Sequence, residues 1–579
     1  MILVFGGTTE GRKAAEVLEE AGSPFFYSTK IGEQELSLHN GERIDGAMDI
    51  EAMKAFIAEH DIHLIVDAAH PFASQLHQTI VSVASELQIP VVRYERIYPP
   101  RDPGIEWIDD YSLVPTDIHT LLATTGVQSI GKLKPLEERG IKVFYRILPR
   151  QSSIDLAKKQ GATDEQLCYY EDSNKIDVDA DAILLKESGE SGGFSQKVEA
   201  ARAKGMRIIA IRRPMLQAEN IVNGPHGLRR AVEHLLPEFY PLHSGLTTGT
   251  CATAAAIAAT LQMNGETPDE VPVVLPDGET IRVPVGYADG YAYCIKEAGD
   301  DPDVTNGIEI RASVQASDHF ELIGGKGVGH FTLPGFDYPP GEAAINKAPR
   351  EMMRNNIKEN VRITITVPQG EEIARRTFNP RLGIEGGISI IGVSGIVKPF
   401  SEQAFIDSIR RCVDVAIASG TNRVVINSGA KSERFLRERY PTLPTQAFVQ
   451  YGNYIGETLT MLNGRVAHVT LGVMLGKAVK LAQGHLDTHS RRATMDLDFI
   501  CGMLSESGIS LDISGITLAR ELWERLSADS LNRFTRTVLR HCYDHCCPLL
   551  PDGELELLLI DDNGNIFGVE NSINTKIEK

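Results

Sequence analysis

The sequence predicts an α/β protein. Its N-terminal half reads as two Rossmann-like lobes with parallel sheets, and its C-terminal half as a mixed α/β (α+β) region with two subdomains. Continuous apolar runs alternate with helical patterns over residues 1–240, as in parallel sheets covered by helices. Over residues 243–579 the order of helices and strands is less regular. A chain of 579 residues is also too long for one ordinary core.

The first half contains the clearest alternation of strands and helices. The apolar runs that read as strands cover residues 1–5, 25–28, 63–69, 90–94, 141–147, 182–185 and 207–211. The helical patterns between them cover residues 10–20, 50–59, 73–87, 152–159 and 195–204. These seven strand patterns are more than one small sheet needs. We therefore expect two lobes, at about residues 1–115 and 116–240, with a cleft between them.

Composition and charge restrict the class of partner. Hydrophobic residues make up 42% and charged residues 23%, as in a globular protein. The net charge of −20 argues against nucleic acid and anionic membranes, which need a broad basic surface. No apolar run reaches the roughly 18 residues needed to span a bilayer. The eight scattered cysteines do not form a disulfide framework, so a reducing cytoplasm is expected; a homo-oligomer is left open.

A glycine-rich loop joins the first predicted strand to the first helix. Glycines there let backbone N–H groups approach a pyrophosphate, and a helix N-terminus favours its negative charge. The two threonines add hydroxyl donors. A tight strand-to-helix turn is the alternative. The nucleotide-binding interpretation assigns the loop residues Gly6, Gly7, Thr8, Thr9, Glu10, Gly11 and Arg12.

The second predicted strand bears on the choice of nucleotide. It ends in Ser28 and Lys30, where NAD sites usually have an acidic residue for the ribose hydroxyls. A hydroxyl and a cation suit a 2′-phosphate, so the pair favours NADPH over NADH. A solvated loop lysine is the alternative interpretation, because exposure is the default for lysine.

Polar and basic side chains cluster at later strand ends, where doubly wound folds place ligands. His70 could act as an acid or orient a ligand, or it could be a structural histidine. Arginines suit carboxylates, which they can bind through two parallel hydrogen bonds. The resulting candidates for substrate binding are His70, Arg93, Arg96, Lys186, Ser188, Gly189 and Arg213.

The motifs of the first half occur in an order that resembles one family. They are Gly-Gly-Thr-Thr-Glu-Gly-Arg from residue 6, Asp-Ala-Ala-His-Pro-Phe-Ala from 67, Arg-Tyr-Glu-Arg from 93, Lys-Glu-Ser-Gly-Glu-Ser-Gly-Gly from 186 and Arg-Arg-Pro from 212. Residues 1 to about 240 resemble the precorrin-6A reductase family of corrin biosynthesis. The resemblance implies a reduced nicotinamide that delivers hydride to a macrocycle with many carboxylates.

The resemblance has two departures and leaves one role unassigned. The family usually has threonine where Ala69 stands, so a hydroxyl contact is not expected there. The loop from Lys186 is less glycine-rich than in the family. No residue of these motifs stands out as the proton donor, with His70 as the single candidate for catalysis.

The second half has a less regular pattern. Helical patterns cover residues 251–261, 402–417, 476–482 and 516–526. Strand patterns cover residues 271–275, 362–367 and 423–426. Glycines stand in blocks, including Gly-Gly-Lys-Gly-Val-Gly-His from residue 324 and Asn-Pro-Arg-Leu-Gly-Ile-Glu-Gly-Gly from 379. Such loops allow close approach of backbone to a ligand, although any single block could be a turn.

The glycine blocks belong to a second resemblance. With Leu-Thr-Thr-Gly-Thr-Cys-Ala-Thr-Ala-Ala-Ala from residue 246, they resemble the cobalt-precorrin-5B C(1)-methyltransferase family over nearly all of residues 243–570. The family's His-Pro-Gly-Lys appears here as Met474-Leu475-Gly476-Lys477. The resemblance implies S-adenosylmethionine as methyl donor and a cobalt-containing macrocycle as acceptor. No protein nucleophile is needed, so Cys251 reads as a small packed residue.

Site residues in the second half follow from that resemblance. The strand-end loops that could hold S-adenosylmethionine contain Gly429, Gly452, Asn453 and Gly456. The Thr/Gly turn and the basic side chains that could contact the macrocycle and its carboxylates are Thr248, Lys347, Arg350, Arg381, Arg491 and Arg492. Each of the basic residues could instead be an ordinary surface charge.

No metal site is predicted, because cobalt belongs to the substrate. The run from His541 to Cys547 has His and Cys pairs at a spacing that can bind metal on a helix. It also continues an apolar helical pattern, which favours a core helix.

Two functions are compatible with the whole chain. The favoured one is a bifunctional enzyme with a reductase at 1–240 and a methyltransferase at 243–579, joined by a link at 237–241. It would methylate cobalt-precorrin-5B at C-1 and then reduce cobalt-precorrin-6A to cobalt-precorrin-6B. The alternative is a nicotinamide-dependent oxidoreductase whose second half is a non-catalytic ligand-binding or assembly module.

Overall fold

The computed structural model describes residues 1–30, 36–170, 176–215, 218–490 and 492–568. The chain divides into two compact units. The first comprises Met1–Ser244 and Pro272–Arg282, and the second comprises Gly245–Val271 and Val283–Lys579. Both units mix helices with sheets, so the predicted α/β class is confirmed.

The first unit alternates strands and helices along most of its length. Its strands are β1 (Ile2–Phe5), β2 (Phe25–Thr29), β3 (Gly41–Asp45), β4 (Leu64–Asp67), β5 (Val91–Tyr94), β6 (Glu106–Ile108), β7 (Thr120–Ala123), β8 (Lys142–Ile147), β9 (Leu167–Tyr169), β10 (Ala182–Lys186), β11 (Arg207–Ile211) and β12 (Asn220–Val222). Its helices are α1 (Thr9–Glu19), α2 (Ile50–Glu59), α3 (Ser74–Leu87), α4 (Ile130–Glu138), α5 (Gln151–Lys159), α6 (Phe194–Ala203) and α7 (Pro225–Leu235).

These strands form two parallel sheets of six strands each, which confirms the two Rossmann-like lobes. The first has the order β12-β5-β4-β1-β2-β3 and the second β6-β11-β10-β7-β8-β9. Apolar clusters cover both faces of each sheet. Burial on both faces explains why the central strands are continuous apolar runs and not alternating ones.

The lobes exchange their edge strands, which corrects the predicted boundary near residue 115. β6 precedes that boundary but pairs with β11 of the second sheet. β12 follows it but pairs with β5 of the first sheet. Each exchanged strand has three residues, too few to carry a pattern that names its sheet. Tertiary packing therefore decides the pairing.

The second unit has more and shorter elements. The hairpin strands β14 (Glu270–Val274) and β15 (Thr280–Pro284) lie mostly in the segment Pro272–Arg282, which belongs to the first unit. The strands of the second unit are β13 (Gly245–Leu246), β16 (Gly286–Ala288), β17 (Tyr291–Ile295), β18 (Glu309–Ala316), β19 (Glu321–Gly324), β20 (Gly327–Val328), β21 (His330–Phe331), β22 (Val361–Thr366), β23 (Ile384–Glu385), β24 (Gly387–Ile388), β25 (Ile396–Val397), β26 (Arg423–Asn427), β27 (Phe448–Gln450), β28 (His468–Met474), β29 (Glu554–Ile560) and β30 (Ile566–Gly568). Its helices are α8 (Thr248–Met263), α9 (Lys347–Asn356), α10 (Gly370–Ala374), α11 (Glu402–Ala418), α12 (Ala430–Arg439), α13 (Ile455–Leu462), α14 (Leu475–Ala482), α15 (Leu497–Glu506), α16 (Glu521–Arg525) and α17 (Ala528–Cys546).

Two five-stranded sheets organise the second unit. The mixed sheet β16-β17-β18-β22-β19 packs against α8, whose residues are mostly buried. The sheet β27-β26-β28-β29-β30 is parallel except for the β29–β30 pair. Its apolar faces are covered by two separate clusters. The sheet β27-β26-β28-β29-β30 therefore resembles a nucleotide-binding fold more closely than the mixed sheet does.

One predicted helix is much shorter than expected. The pattern at residues 516–526 predicts a helix throughout, but α16 covers only Glu521–Arg525. The Glu521 carboxylate accepts hydrogen bonds from the backbone N–H of Leu518 and from Thr517. A side chain that binds the preceding backbone in this way competes with helical hydrogen bonding.

The predicted link at 237–241 is packed, not extended. Residues Pro237–Phe239 form a short 3₁₀ turn. Phe239 and Tyr240 are buried in the first unit, and the Tyr240 hydroxyl donates to the carbonyl oxygen of Val17 at 2.9 Å. The first unit also takes in the hairpin segment Pro272–Arg282, which lies beyond the link in the chain. Chain order alone therefore does not divide the two units.

Candidate functional site

The glycine loop before α1 is shaped around Tyr27. A Cβ atom on Gly6 would lie 2.2 Å from the Tyr27 ring, and one on Gly11 would lie 2.6 Å from the Gly6 Cα. The Gly7 N–H donates to the Tyr27 hydroxyl at 3.1 Å. Gly7 has φ of +82°, and an added Cβ there would meet nothing within 4 Å. Packing thus requires Gly6 and Gly11, whereas Gly7 lies on an open side that a ligand could approach.

The polar side chains of the loop are engaged by the protein. The Thr8 hydroxyl accepts from the Gly11 N–H at 2.9 Å and donates to the carbonyl oxygen of Ala68 at 2.7 Å, so it caps α1. Glu10 lies 2.9 Å from Arg96 Nε and also accepts from the Ser191 hydroxyl. Burial raises the pKa of Glu10, but these contacts outweigh burial and leave the pKa lowered. Glu10 therefore joins the two lobes.

The end of β2 has a hydroxyl and a cation, which suit a ribose 2′-phosphate, beside an acidic residue, which suits the ribose hydroxyls. Ser28 is buried, and its carbonyl oxygen accepts from the Gly6 N–H. Lys30 is exposed. Beside them the Thr29 hydroxyl donates to Asp45 at 2.8 Å, and Asp45 also pairs with Arg43. The sequence analysis missed Asp45 because β3 itself carries no clear strand pattern.

Three of the predicted carboxylate-binding arginines are already paired inside the protein. Arg93 is 2% exposed and contacts Asp67 at 2.9 Å. Arg96 is bound by Glu10 and donates to the Ser188 carbonyl oxygen at 2.7 Å. For Arg93 this is a correction, because its guanidinium group is too deeply buried to hold a ligand in this structure. Asp67 and Glu10 stand 26 and 86 positions away from these arginines, so no local motif indicates the two pairs.

Arg213 belongs to a similar internal network. It contacts Glu187 at 2.6 Å and stacks on the Tyr98 ring at 3.6 Å. Arg101, a residue the sequence analysis missed, contacts the same carboxylate at 2.9 Å. The two guanidinium groups neutralise a carboxylate that is itself buried. Arg213 therefore stabilises the loop after β10.

His70 and Lys186 end strands of different lobes and have fewer internal partners. His70 Nδ1 accepts from the Phe72 N–H at 3.2 Å, so the neutral ring carries its proton on Nε2. Burial and the charges of Arg96 and Lys186 lower the pKa of His70 to about 4. The Lys186 ammonium lies 5.0 Å from the Phe72 ring centre. Burial, followed by the charge of Lys132, lowers the pKa of Lys186 to about 8.

The loop after β10 closes on Arg96. Gly189 has φ of +70°, and an added Cβ would lie 3.0 Å from the Arg96 Cβ. Ser188 is buried, and its hydroxyl donates to the Gly192 carbonyl oxygen at 3.3 Å. Gly189 is thus required by close packing between the lobes of the first unit, and Ser188 by the turn that follows.

In the second unit, Thr248 holds a glycine loop in place. Its hydroxyl accepts from the Ile391 N–H at 2.9 Å and lies 3.3 Å from the Ser389 carbonyl oxygen. Thr250 donates to the Gly395 carbonyl oxygen at 2.6 Å. The start of α8 therefore supports the loop, and the Thr248 hydroxyl is engaged by backbone.

The basic side chains predicted to contact the substrate in the second unit differ in how far other protein groups already engage them. Arg350 donates to two backbone carbonyl oxygens and stacks on Tyr338, and Arg381 pairs with the buried Glu433 at 2.5 Å. Arg492 contacts Asp487 and Glu402. Lys347 is exposed, with Glu351 at 3.9 Å. The predicted residue Arg491 lies outside the described residues.

Three neighbouring strands of the second five-stranded sheet end at one edge. β26 ends at Asn427, whose side chain accepts from the Gly429 N–H at 3.1 Å. After β28, Lys477 donates to Asn453 Oδ1 at 2.6 Å and to the Gly452 carbonyl oxygen, both in the loop after β27. Burial lowers the pKa of Lys477 to about 8. The structure therefore brings Gly429, Gly452 and Asn453 to one edge.

Gly456 has a different explanation. An added Cβ would lie 2.9 Å from the Leu486 Cβ, so packing within the unit already requires glycine there. The sequence analysis did not assign Lys477 a role, although its position matches the lysine of the family motif. Its contacts connect the start of α14 to the loop after β27, at the edge where the strands end.

Comparisons with known proteins match both parts of the chain. The family model for precorrin-6x reductase CbiJ/CobK matches residues 1–233. The models for CbiD and for the CbiD C-terminal domain match residues 237–399 and 487–571. A cobalt-precorrin-5B C(1)-methyltransferase of Prosthecochloris aestuarii is 41% identical over 345 residues, which cover 55% of this chain and 94% of the relative. That of Priestia megaterium is 39% identical over 350 residues, covering 56% and 95%.

The chain belongs to the cobalt-precorrin-5B C(1)-methyltransferase family. Its N-terminal part, residues 1–233, matches the precorrin-6x reductase family model, so the predicted fusion is confirmed. Both families are families of enzymes, and the chain is therefore an enzyme with a two-step role in corrin biosynthesis.

Two solved structures are similar to parts of this chain. One, titled CobK precorrin-6A reductase, is 18% identical with a TM-score of 0.34 and covers 41% of this chain and 97% of that chain. The other, a cobalamin biosynthesis protein (cbiD) from Archaeoglobus fulgidus, is 29% identical with a TM-score of 0.26, covering 43% and 83%. Among the described residues, no helix has the length and apolar character needed to cross a bilayer.

The side chains of this fusion enzyme that could bind a metal are buried in the core or already hydrogen-bonded within the protein. In α17, Cys542 and Cys546 are buried in the core, and the Cys542 thiol donates to the Ala478 carbonyl oxygen at 3.2 Å. A second group comprises His226, Asp277 and Glu279. There the Glu279 carboxylate accepts from the N–H groups that begin α7, where the helix dipole disfavours a cation.

Proposed function

We propose that this fusion enzyme methylates cobalt-precorrin-5B at C-1 with S-adenosylmethionine and reduces the product, cobalt-precorrin-6A, to cobalt-precorrin-6B with NADPH or NADH. The observation that carries the proposal is the joining, in one chain, of a second part 41% identical to a methyltransferase and a first part matched by the reductase family model. Two parallel Rossmann-like sheets in the reductase part support a nicotinamide nucleotide.

The loop before α1 fits the pyrophosphate of such a nucleotide. The open side of Gly7 and the N-terminus of α1 provide close backbone approach and favourable charge. Gly6, Thr9, Gly11 and Arg12 complete this site as proposed contacts, with Ser28 and Lys30 at the ribose. Thr8 and Glu10 support the loop through the protein contacts that they already make. NADPH or NADH would supply hydride there.

The macrocycle of the reductase is proposed to bind along the strand ends of the first unit. His70 offers an Nε2–H donor and Lys186 an ammonium group. Both lie on the loops that follow β4 and β10. Arg96, Ser188, Gly189 and Arg213 shape the same edge through their internal contacts, so we assign them a positioning role.

Methyl transfer is proposed to use the strand-end edge of the second unit. Gly429, Gly452 and Asn453 would hold S-adenosylmethionine, which supplies the methyl group as a sulfonium. Lys477 fixes the loop that contains two of these residues. Lys347 is proposed as a contact for a substrate carboxylate. The protein's task is alignment and exclusion of water, since no protein nucleophile is required.

The test is a cofactor-omission experiment. The purified full-length chain is incubated with cobalt-precorrin-5B, S-adenosylmethionine and NADPH, and each cofactor is omitted in turn. Mass spectrometry should show a methyl gain that requires S-adenosylmethionine, followed by a gain of hydride and proton that requires NADPH. Absence of the methyl gain, beside a separate methyltransferase that converts the same substrate, would refute the methyltransferase assignment. Methyl gain without subsequent reduction would refute the reductase assignment.

A further inference from the structure

We propose that Lys186 is a catalytic residue that donates the proton accompanying hydride transfer in the reductase half. This inference rests on the reductase activity proposed above. The sequence motifs assign no proton donor, and they indicate Lys186 only as a contact for substrate. Its surroundings support a second role.

Lys186 lies at the carboxyl end of a central strand. β10 pairs with β7 on one side and β11 on the other. Its last residue, Lys186, places its ammonium 5.0 Å from the Phe72 ring centre. Phe72 belongs to the loop after β4, which also holds His70. The lysine therefore reaches from one lobe to the strand-end loop of the other, where a doubly wound fold binds its ligand.

The charge of Lys186 is not paired with a carboxylate in the described part of the chain. Among the residues that the structure describes, no carboxylate lies within ion-pair distance of its Nζ, whereas Arg93, Arg96 and Arg213 each have one. A largely buried ammonium without a carboxylate gives up its proton more readily than a solvated one. The titratable groups coupled to Lys186 are His70 and Lys132, and burial together with Lys132 lowers the pKa of Lys186 to about 8. A general acid works best with a pKa near the working pH.

The neighbouring groups are poorer proton donors. His70, with a pKa of about 4, is neutral at neutral pH and can donate a hydrogen bond through Nε2 but has no imidazolium proton to release. Glu10 has a lowered pKa and is ionised. The Tyr98 hydroxyl donates to Glu95 at 2.8 Å, and burial raises its pKa.

The chemistry balances with these groups alone. One atom of the substrate double bond accepts the hydride from NADPH with its electron pair, which forms a C–H bond. The other atom forms a bond to hydrogen with the former π electrons, as an N–H bond of the Lys186 ammonium breaks. NADPH is oxidised to NADP⁺, the double bond is reduced, and the neutral lysine regains a proton from water.

The experiment compares Lys186→Met and Lys186→Arg in the full-length chain. NADPH oxidation is followed in a single turnover with cobalt-precorrin-6A, and NADPH affinity is measured separately by fluorescence. Both variants should slow reduction by about 10²-fold or more while NADPH affinity is kept, because arginine retains the charge but holds its proton too tightly. The wild-type rate should fall as the pH rises above about 8, and Lys186→Met should lose that dependence. Small alkylammonium ions should partly restore Lys186→Ala, with rates that follow their acidity.

The controls separate this inference from the proposed function. Lys132→Met removes a nearby exposed lysine. It should keep the wild-type rate at neutral pH but move the loss of rate to higher pH, because the charge of Lys132 helps to lower the pKa of Lys186. Retained NADPH affinity reports that the reductase half of each variant is folded. Reduction by Lys186→Arg at the wild-type rate would show that only charge is needed and would overturn the inference. A wild-type chain that binds NADPH but does not reduce cobalt-precorrin-6A would instead overturn the reductase activity, and this inference with it.

Discussion

Replacing Glu10 with alanine should destabilise the first unit strongly. Glu10 and Arg96 are 6% and 8% exposed, and their side chains meet at 2.9 Å. The change leaves the Arg96 guanidinium buried with the Ser188 carbonyl oxygen in place of a carboxylate. Breaking a buried ion pair by removing one partner costs about 3–5 kcal/mol in the free energy of unfolding. We expect Glu10→Ala to lie in that range.

The pH dependence has a definite sign. The pKa of Glu10 is lowered in the folded protein because the Ser191 hydrogen bond and Arg96 outweigh the effect of burial. Its stabilisation is therefore present above the unfolded pKa of about 4.3 and is lost as the pH falls through the folded pKa. The difference between wild type and Glu10→Ala should shrink under acid conditions.

Urea unfolding followed by tryptophan fluorescence can measure this effect. The chain has two tryptophans, Trp107 in the first unit and Trp523 in the second, so a Trp523→Phe background reports the first unit alone. Glu16→Ala, an exposed change on α1, is the matched control and should shift stability by no more than about 0.5 kcal/mol.

A double-mutant cycle tests the cause. Glu10→Ala with Arg96→Met removes both charges, so the double variant should be less destabilised than the sum of the single changes, with a coupling energy of about 2 kcal/mol. A loss below about 1 kcal/mol for Glu10→Ala, or strict additivity in the cycle, would refute the assignment of this pair as the link between lobes.

Three further changes give separate tests. Gly6→Ala should destabilise the first unit by about 1–3 kcal/mol and weaken NADPH binding, because its Cβ would lie 2.2 Å from the Tyr27 ring. Urea unfolding followed by tryptophan fluorescence measures the stability, and a fluorescence titration with NADPH measures the affinity. Lys477→Met should weaken S-adenosylmethionine binding about tenfold in calorimetry, because it frees the loop that the lysine holds. A fragment of Met1–Ser244 should unfold about 1–3 kcal/mol more easily than the same unit in the full chain, because it lacks Pro272–Arg282.

Each test has an internal comparison. Gly7→Ala meets no atom within 4 Å, so it should lose only the backbone strain of about 1 kcal/mol; equal losses at both glycines would contradict the packing argument. NADPH binding should be unaffected by Lys477→Met, and unchanged S-adenosylmethionine affinity would contradict the assigned role of the lysine. Equal stability of the fragment and the intact unit would show that the hairpin contributes nothing.

Local sequence determined the parts of this protein that depend on near neighbours. The central strands read as apolar runs because both faces of their sheets are buried. The loop from Gly6 was placed correctly between the first strand and the first helix, since its glycines and the cap at Thr8 act within a few residues. The motifs also identified both families, because the residues that carry them stand close together in the chain.

Tertiary structure decided the contacts between distant residues. Glu10 and Arg96 stand 86 positions apart, and no local pattern says that a predicted cofactor residue will neutralise a predicted substrate residue. The short edge strands β6 and β12 joined the opposite sheets for the same reason: hydrogen-bonded edges and buried faces, not strand composition, select the partner. Lys186 was visible in the sequence as one more cation. Only folding showed that it is half-buried and that no carboxylate of the described residues pairs with it, because a side chain's counter-ion is set by what packs around it.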